Sequence, residues 1–420
     1  MTAPRLEPER KIPKNLATFT ELSKFISENS IKLFSREDHT KYDIINYHIE
    51  QNKNDEAFFI IDLGEILEQY KQWKTFFPNI KPFYAVKCCS NPMVLKTLAV
   101  LGCGFYCASK SELIRVTELN VPTNRILFGI PVKDPQHIRF ARSQNIDSMT
   151  FDNEVELYKI KLYHPYAKLT LRISVEESTC GFGANAKFGC PMSEVKNLLE
   201  KARSLELDVV GVSFHIGNRN NDISLYSNAI EKAREVFTLG QEISMSMNIL
   251  NIGGGFPGNS KHDLLTFEEI AKTVNEAIGK YFSDVEDLKV MAEPGRYFST
   301  KSHVLVFNVI GKRKYVDENN ETHFDYYMNE GVYGSFNSIV FDGAAPHIHP
   351  FNNNKNTVLY KSTVFGPTCD DMDVITRGTE LPELQVGESL YVEDFGAYTQ
   401  VSALDFNGFA ITESNYVFRY

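Results

Sequence analysis

The sequence has no excess of basic residues, no long apolar run and no cysteine spacing typical of a zinc site. Lysine and arginine total 44 against 54 for aspartate and glutamate, which gives a net charge of −10. A chain of this sign repels nucleic acid and anionic membranes, so we expect neither as a partner. No apolar run reaches the roughly 18 residues that a membrane-spanning helix needs.

The cysteines also exclude a disulfide framework. There are seven of them, so they cannot all pair with one another, and no histidine flanks them at zinc-finger spacing. The N-terminal stretch MTAPRLEPERKIPKN lacks the apolar core of a secretory signal peptide. We therefore expect a reduced, cytoplasmic protein without a structural metal ion.

Short runs typical of buried strands recur between residues 82 and 296, and helical patterns such as NPMVLKTLAVLG separate them. The eight runs are PFYAVK (82–87), FYCAS (105–109), RILFGI (125–130), DSMTFD (147–152), AKLTLRI (167–173), VVGVSFHIG (209–217), ILNIGGGF (249–256) and KVMAEPGR (289–296). Eight strand–helix units with a period of about 30 residues predict an α/β fold, a (β/α)8 barrel over residues 56–300. A doubly wound sheet is the alternative, because periodicity does not reveal closure.

The residue pattern of the sequence changes after residue 300. Residues 301–420 contain β-branched and aromatic runs without helical spacing, such as HVLVFNVIGKRKYV and ESLYVEDFGAY. This pattern predicts a second, mostly antiparallel β domain.

Polar and glycine residues occupy the ends of the predicted barrel strands, where the active sites of such barrels lie. They are Lys87, Glu112, Arg172, His215, Gly253, Gly254, Gly255, Glu293 and Arg296. Each has an ordinary structural explanation when taken alone, such as a solvated lysine or a hydrogen-bonded core histidine. Their joint occurrence at successive strand ends indicates a functional site.

The chemistry of this group suits pyridoxal phosphate. Lys87 can form a Schiff base with an aldehyde cofactor. The three glycines allow backbone N–H groups to approach a phosphate, and Arg296 adds a bidentate donor. Glu293 can keep a pyridine nitrogen protonated, so that the ring accepts electrons, and His215 can stack on the ring face. We therefore predict a pyridoxal phosphate site at this rim.

Segments in order along nearly the whole chain resemble motifs of the eukaryotic ornithine decarboxylase family. They are PFYAVKC, CASKSE, SFHIG, NIGGGFPG, AEPGRY, GVYGSFNSI, GPTCDDMD and FNGF. The resemblance implies an alanine-racemase-like fold, in which an N-terminal segment, residues 1–55, joins the β domain. It also implies a head-to-tail homodimer with two shared active sites.

The resemblance further implies roles for individual residues. Catalytic positions match Lys87, His215, Glu293 and Cys369, and Cys369 would return a proton to the α-carbon after CO2 is lost. Cofactor-binding positions match Lys87, Glu112, Arg172, His215, Asn218, Gly253, Gly254, Gly255, Glu293, Arg296 and Tyr398. Substrate-binding positions on the other subunit match Asp342, Asp370 and Tyr333, and the acids suit the distal ammonium of a diamino acid. Lys187 and Asp373 match an ion pair that crosses the dimer interface.

Two positions depart from the family pattern. The family usually has aspartate where this chain has Tyr106, and serine where it has Asn218. Tyr106 either replaces a carboxylate near the cofactor by a neutral phenol that narrows the pocket, or it points away and only packs.

The predicted function is the pyridoxal phosphate-dependent decarboxylation of L-ornithine to putrescine, a reaction of polyamine biosynthesis. One alternative is a catalytically silent protein that resembles the antizyme inhibitors and works by binding a regulatory protein. Another is a decarboxylase of a different basic amino acid, such as lysine or arginine. Lys133, Arg139 and Arg142 form either a basic surface for an antizyme-like regulator or a solvated helix face.

Overall fold

A computed structural model of the protein describes residues 8, 20–52, 54–175, 187–218, 221–258, 264–352 and 358–420. The chain divides into two compact units. We call Glu68–Phe298 the barrel unit, and the described residues up to Leu67 together with Ser299–Tyr420 the sheet unit.

The chain begins in the sheet unit with α1 (Thr20–Glu28), β1 (Lys32–Phe34), α2 (Lys41–Gln51) and β2 (Phe58–Asp62), and α3 (Leu63–Phe76) contains the boundary between the units. The barrel unit alternates strands and helices: β3 (Ile80–Ala85), α4 (Pro92–Val100), β4 (Gly104–Cys107), α5 (Lys110–Thr117), β5 (Ile126–Phe128), α6 (Pro135–Ser143), β6 (Ser148–Phe151), α7 (Glu154–Tyr163), β7 (Lys168–Arg172), α8 (Met192–Ser204), β8 (Asp208–Ser213), α9 (Ser224–Glu242), β9 (Ile249–Asn251), α10 (Phe267–Tyr281) and β10 (Lys289–Ala292). The remaining elements are α11 (Arg296–Ser299), β11 (His303–Val316), β12 (Thr322–Met328), α12 (Ser338–Phe341), β13 (His349–Pro350), β14 (Leu359–Phe365), β15 (Val374–Pro382), β16 (Ser389–Val392) and β17 (Glu413–Arg419).

The barrel is closed by eight parallel strands in the order β10-β3-β4-β5-β6-β7-β8-β9. Closure comes from the pairing of β10 with β3, in which Val290 lies opposite Ile80. Each of the eight predicted runs overlaps one of these strands, so the predicted barrel is confirmed and the doubly wound alternative is wrong. Several runs extend past their strand, since β8 ends at Ser213 and β9 at Asn251.

Side-chain caps fix the helices that follow the strands. Asn91, Ser109, Asp134 and Asn153 accept backbone N–H groups at the starts of α4, α5, α6 and α7, and Pro92 and Pro135 stand in the first turn of α4 and α6. Such caps satisfy donors that the first helical turn leaves unpaired. The short loops at the C-terminal rim of the barrel therefore end at defined positions. These loops contain the residues that were predicted to form the functional site.

The sheet unit contains a mixed sheet in the order β1-β17-β2-β11-β12-β14-β15, with β16 on β11 and β13 on β16. The pairs β1–β17, β17–β2 and β12–β14 are parallel, and the other pairs of this sheet are antiparallel. The predicted antiparallel domain is therefore interrupted by three parallel pairs. Two of them form because β1 and β2, from the N-terminal part of the chain, flank the C-terminal strand β17, and the third joins β12 to β14.

The boundary between the units differs from the sequence pattern. The sequence placed the barrel from residue 56, whereas the barrel unit begins at Glu68. The reason is β2, which pairs parallel to β17 and antiparallel to β11. All five of its residues are buried, as in a barrel strand, so an apolar run alone does not reveal which sheet it joins.

Two further expectations concern membranes and thiols. Within the described ranges, no helix combines the length and the apolar character needed to cross a bilayer. The cysteines of these ranges are free, five of them are buried and Cys369 is exposed. The buried ones are Cys88, Cys89, Cys103, Cys107 and Cys190.

Candidate active site

The barrel unit brings the predicted rim residues together. Lys87 lies in a 3₁₀ turn directly after β3, Glu112 in the first turn of α5, Arg172 at the end of β7, His215 just after β8, Gly253 to Gly255 just after β9, Glu293 directly after β10 and Arg296 at the start of α11. All of these positions follow the C-terminal ends of parallel strands, so they share one end of the barrel.

The exposed Lys87 amine lies within reach of two half-buried acids. Burial raises the pKa of Glu112, while an N–H group from Ala108, at 2.5 Å, and the Lys87 charge oppose that shift. Burial also raises the pKa of Glu293, and a hydrogen bond from Asn251 and the charges of Arg172 and Lys87 oppose it. At both acids, burial favours the neutral carboxyl, whereas the nearby positive charges and hydrogen bonds favour the carboxylate.

His215 is a neutral ring at this rim. Burial lowers its pKa from 6.5 to about 3, and the positive charges of Arg172 and Lys87 act in the same direction. Its Nδ1 accepts the N–H of Gly254 at 3.2 Å, so the proton of the neutral ring belongs on Nε2. The ring is thereby held in a fixed orientation and stays uncharged at physiological pH.

The structure adds Asn251, a residue to which the sequence assigned no role. Its Nδ2 donates to Glu293 Oε1 at 2.7 Å, and its Oδ1 accepts the N–H of Gly253 at 3.0 Å. The side chain is fully buried and links the acid to the glycine turn. A signal for it exists in the sequence, because Asn251 is a polar residue in the otherwise apolar strand β9, two residues before the first of three glycines.

The residues present fit pyridoxal phosphate. Gly253 and Gly255 have left-handed backbones, with φ of 66° and 93°. A Cβ at Gly254 would lie 2.6 Å from the carbonyl oxygen of Glu293, so the turn is limited to glycine. Arg172 Nε is buried and has no hydrogen-bond partner within the described ranges. A bound anionic cofactor would satisfy the unpaired Arg172 donor beside this glycine turn.

Tyr106 faces this site from β4. It is 7% exposed and packs with Phe83, Ala85 and Leu127. Burial raises its pKa and the nearby charge of Glu293 adds to the shift, so the phenol is neutral. The ring thus packs in a buried cluster and also lies near Glu293, and its predicted narrowing of the cofactor pocket stays a prediction.

Asn218, Asp342 and Tyr398 were also predicted to line the site. Asn218 is half-buried in the loop after β8, directly before residues that lie outside the described ranges. Asp342 follows α12, and Tyr398 has a left-handed backbone with φ of 57°, both in the sheet unit. Their assigned roles stay predictions.

The sheet unit brings a second set of predicted residues together. Tyr333 donates its hydroxyl to Asp370 Oδ2 at 2.7 Å, and this bond lowers the pKa of the Asp370 carboxyl. Next to Asp370 in sequence, Cys369 Sγ donates to Asn407 Oδ1 at 3.5 Å. The Tyr333 ring stacks on Phe406, with centroids 4.2 Å apart. We call Tyr333, Cys369, Asp370, Phe406 and Asn407 the thiol cluster.

A buried acid holds the thiol cluster in place. Asp373 is 1% exposed, and its two oxygens accept the N–H groups of Val332 at 2.8 Å and Thr368 at 3.0 Å. It therefore ties the loop before Tyr333 to the loop before Cys369. Lys187 is exposed and lies over Phe188, and its ion pair with Asp373 across a dimer interface stays a prediction.

The basic surface predicted from Lys133, Arg139 and Arg142 is wrong in one residue. Lys133 is 2% exposed, and its Nζ lies 2.9 Å from Glu156 Oε1 and 3.0 Å from the carbonyl oxygen of Ile130. Burial lowers its pKa to about 8, although Glu156 favours the charged form. Glu156 lies 23 residues further along the chain, so local sequence pattern does not reveal this pairing. Arg139 and Arg142 are exposed.

Comparisons with known proteins agree with this geometry. Residues 63–300 match the family described as "Pyridoxal-dependent decarboxylase, pyridoxal binding domain". Antizyme inhibitor 2 of Xenopus laevis is 42% identical over 385 residues, which cover 89% of this chain and 83% of that protein. Ornithine decarboxylase of Mus musculus is 40% identical over 393 residues, which cover 90% of this chain and 85% of that protein.

Solved structures show the same architecture. The crystal structure of the arginine decarboxylase of Paramecium bursaria Chlorella virus superposes with a TM-score of 0.85 and 32% identity, and the match covers 90% of this chain and 100% of that chain. The family match, the identities and the cofactor cradle point to one conclusion. The chain belongs to the eukaryotic ornithine decarboxylase family, and it is a pyridoxal phosphate-dependent amino acid decarboxylase.

Proposed function

We propose that this protein decarboxylates L-ornithine to putrescine, a reaction of polyamine biosynthesis, in the cytoplasm. The observation that carries the proposal is the thiol cluster, in which a proton donor, Cys369, stands next to an oriented carboxylate, Asp370. An ionised carboxylate suits the distal ammonium of a diamino acid and disfavours an aliphatic side chain. Ornithine decarboxylase of Mus musculus, 40% identical, supports ornithine among the basic amino acids. The free cysteines support a reducing compartment.

Pyridoxal phosphate, when bound, supplies a ring that takes up the electron pair left at the α-carbon as CO2 departs. The Lys87 amine would hold its aldehyde. Its phosphate would lie at the glycine turn Gly253–Gly255, held by Arg296 and the Gly255 amide, because the Gly253 and Gly254 N–H groups donate to Asn251 and His215. Glu293 would hold its ring nitrogen. These assignments use groups that the barrel unit already places at one rim.

The protein's own side chains orient the cofactor and supply the proton that the α-carbon receives. Asn251 holds one oxygen of Glu293 and leaves the other to accept a hydrogen bond. The neutral His215 presents a flat face without adding positive charge. Cys369 Sγ gives its proton to the α-carbon, so hydrogen replaces the lost carboxylate and one putrescine forms for each CO2. The Cys369 thiolate then takes up a proton from solvent, so one proton is consumed in each turnover.

The test is a comparison of substrates with the cofactor-loaded enzyme. CO2 and diamine are measured for L-ornithine, L-lysine and L-arginine, and kcat/KM is expected to be highest for L-ornithine, with equal amounts of CO2 and putrescine. A higher kcat/KM for lysine or arginine would overturn the choice of substrate. A loaded protein that releases no CO2 from any of the three would favour the catalytically silent alternative.

We propose, in addition, that the enzyme acts as a homodimer with two shared active sites. The barrel unit carries the residues that would hold the cofactor, and the sheet unit carries the thiol cluster. The barrel residues lack the proposed proton donor, and the thiol cluster lacks the cofactor. The family resemblance implies that the thiol cluster of one subunit completes the cofactor site of the other.

We also propose that the outer face of α6 and α7 binds an antizyme-like regulator. The face exposes Val155, Tyr158 and Leu162, beside the exposed Arg139 and Arg142. The similarity to antizyme inhibitor 2 favours such a partner, and an apolar stripe with basic neighbours suits an acidic protein surface.

The test of this partner uses charge reversal. The double variant Arg139→Glu, Arg142→Glu is expected to lose affinity for an antizyme at least ten-fold. Lys196→Glu on the neighbouring α8 serves as the control and is expected to bind normally. Unchanged binding of the double variant, or no binding by the unaltered protein, would overturn the proposal.

A further inference from the structure

The turn Phe406–Gly408 brings an asparagine to the proposed proton donor. Asn407 has a left-handed backbone, with φ of 56° and ψ of 13°, a conformation that asparagine adopts more readily than most residues. Its Oδ1 accepts a hydrogen bond from Cys369 Sγ at 3.5 Å, across 38 residues of sequence. The turn is itself fixed, because Phe406 stacks on Tyr333 and the N–H of Leu404 donates to the Tyr333 carbonyl at 2.8 Å.

Cys369 has little else to orient it. It is exposed, and within the described ranges Asn407 is its hydrogen-bond partner. The nearest carboxylate in sequence, Asp370, is already engaged by the Tyr333 hydroxyl at 2.7 Å and the N–H of Met372 at 2.8 Å. An exposed cysteine without an acceptor would populate several rotamers, so the Asn407 oxygen selects one of them.

We propose that Asn407 is a positioning residue that holds the Cys369 thiol in one orientation and in its protonated form. An amide oxygen accepts a hydrogen bond from S–H and has nothing to accept from a thiolate. Hydrogen bonding to the neutral form of an acid favours that form. A proton donor has to hold its proton until the α-carbon is ready to receive it. The inference rests on the proposed role of Cys369.

The experiment measures alkylation of Cys369 by iodoacetamide against pH, in the cofactor-loaded protein without substrate, with the modified peptide quantified by mass spectrometry. Only the thiolate reacts, so the pH midpoint reports how strongly the thiol holds its proton. The plateau rate at high pH reports accessibility instead. This readout needs no turnover.

Two variants keep the left-handed backbone. Asn407→Gly removes the amide, and it is expected to shift the midpoint to lower pH and to raise the rate at pH 7.5 about five-fold, the size of one modest hydrogen bond. Asn407→Asp replaces the amide by a carboxylate, and it is expected to shift the midpoint to higher pH. Asn320→Gly, at an exposed turn position with φ of 62°, is the matched control and should leave the profile unchanged.

A midpoint that stays the same in both Asn407 variants would overturn the proposal, and a change confined to the plateau rate would show that Asn407 only shields the thiol and would overturn it as well. In turnover, Asn407→Gly is expected to lower kcat for L-ornithine with an unchanged KM. If the unaltered enzyme shows no turnover while the midpoints shift as described, the proposed function fails and the positioning of the thiol stands.

Discussion

The ring of Tyr106 fills the space that a side chain at residue 129 would need. A Cβ built on Gly129 would collide with the Tyr106 ring carbons. Tyr106 lies in β4, and Gly129 directly follows the neighbouring parallel strand β5, where its N–H donates to the Cys107 carbonyl at 3.0 Å. A ring can therefore enter the barrel interior at residue 106 because residue 129 is a glycine.

We expect Gly129→Ala to destabilise the barrel by about 1–3 kcal/mol, the usual range for adding a methyl group to a packed interior. Gly279→Ala, where nothing lies within 4 Å of the added Cβ, is the control and should be neutral or slightly stabilising. Urea unfolding measures both. The double variant Gly129→Ala, Tyr106→Ala should show less than the sum of the single losses; strict additivity would contradict the contact.

Tyr106→Asp tests the electrostatic role of the phenol. It replaces a neutral group by an anion near Glu293, so the cationic form of the lysine-bound cofactor becomes more favourable. We expect the cofactor absorbance to titrate about one pH unit higher and kcat/KM for L-ornithine to rise. Tyr106→Phe keeps the ring and should leave the titration in place. If Tyr106→Asp changes neither quantity, Tyr106 serves only in packing.

The sequence reveals the parts of this fold that depend on local pattern. The eight barrel strands follow from short apolar runs, and the rim residues from polar groups at their ends. The membership of β2 in the sheet and the burial of Lys133 do not follow, because each depends on a partner far along the chain: β17 for β2 and Glu156 for Lys133. The same holds for Asn251 and Asn407, whose roles appear only when Glu293 and Cys369 stand beside them.

We expect Asn251 to affect cofactor binding indirectly, because it hydrogen-bonds Glu293, the residue proposed to hold the cofactor's ring nitrogen. In Asn251→Ala, Glu293 loses a hydrogen bond of 2.7 Å and the Gly253 N–H loses its acceptor. Because one of these bonds involves a charged group, a loss of about 1.5–3 kcal/mol is expected, which corresponds to roughly 10- to 150-fold weaker binding of pyridoxal phosphate. Titration of the cofactor into the apo-protein measures this. An unchanged affinity would show that Glu293 keeps its position unaided.

His48 should make the stability of the sheet unit depend on pH. Burial, with the charge of Lys32, lowers its pKa from 6.5 to about 3, and its Nε2 has no hydrogen-bond partner in the part of the chain described. Between these pH values the unfolded chain binds a proton that the folded chain does not, so the free energy of unfolding falls as pH falls from about 6.5.

The decrease in the free energy of unfolding that His48 causes approaches about 1.4 kcal/mol per pH unit. His48→Phe should flatten this slope in urea unfolding between pH 7 and pH 5, since phenylalanine takes up no proton. Identical slopes for the variant and the unaltered protein would show that another group controls the acid sensitivity.

In the proposed homodimer, the cofactor residues of one subunit's barrel unit and the thiol cluster of the other subunit's sheet unit form one active site. Lys87→Ala removes the residue that would hold the cofactor, and Cys369→Ala removes the proton donor. The homodimer of either variant is expected to be nearly inactive. Mixing equal amounts under conditions that exchange subunits should restore CO2 release from L-ornithine at about a quarter of the native site count, because half of the dimers are mixed and each carries one intact site. No recovery, with mixed dimers demonstrated by native mass spectrometry, would contradict the shared site.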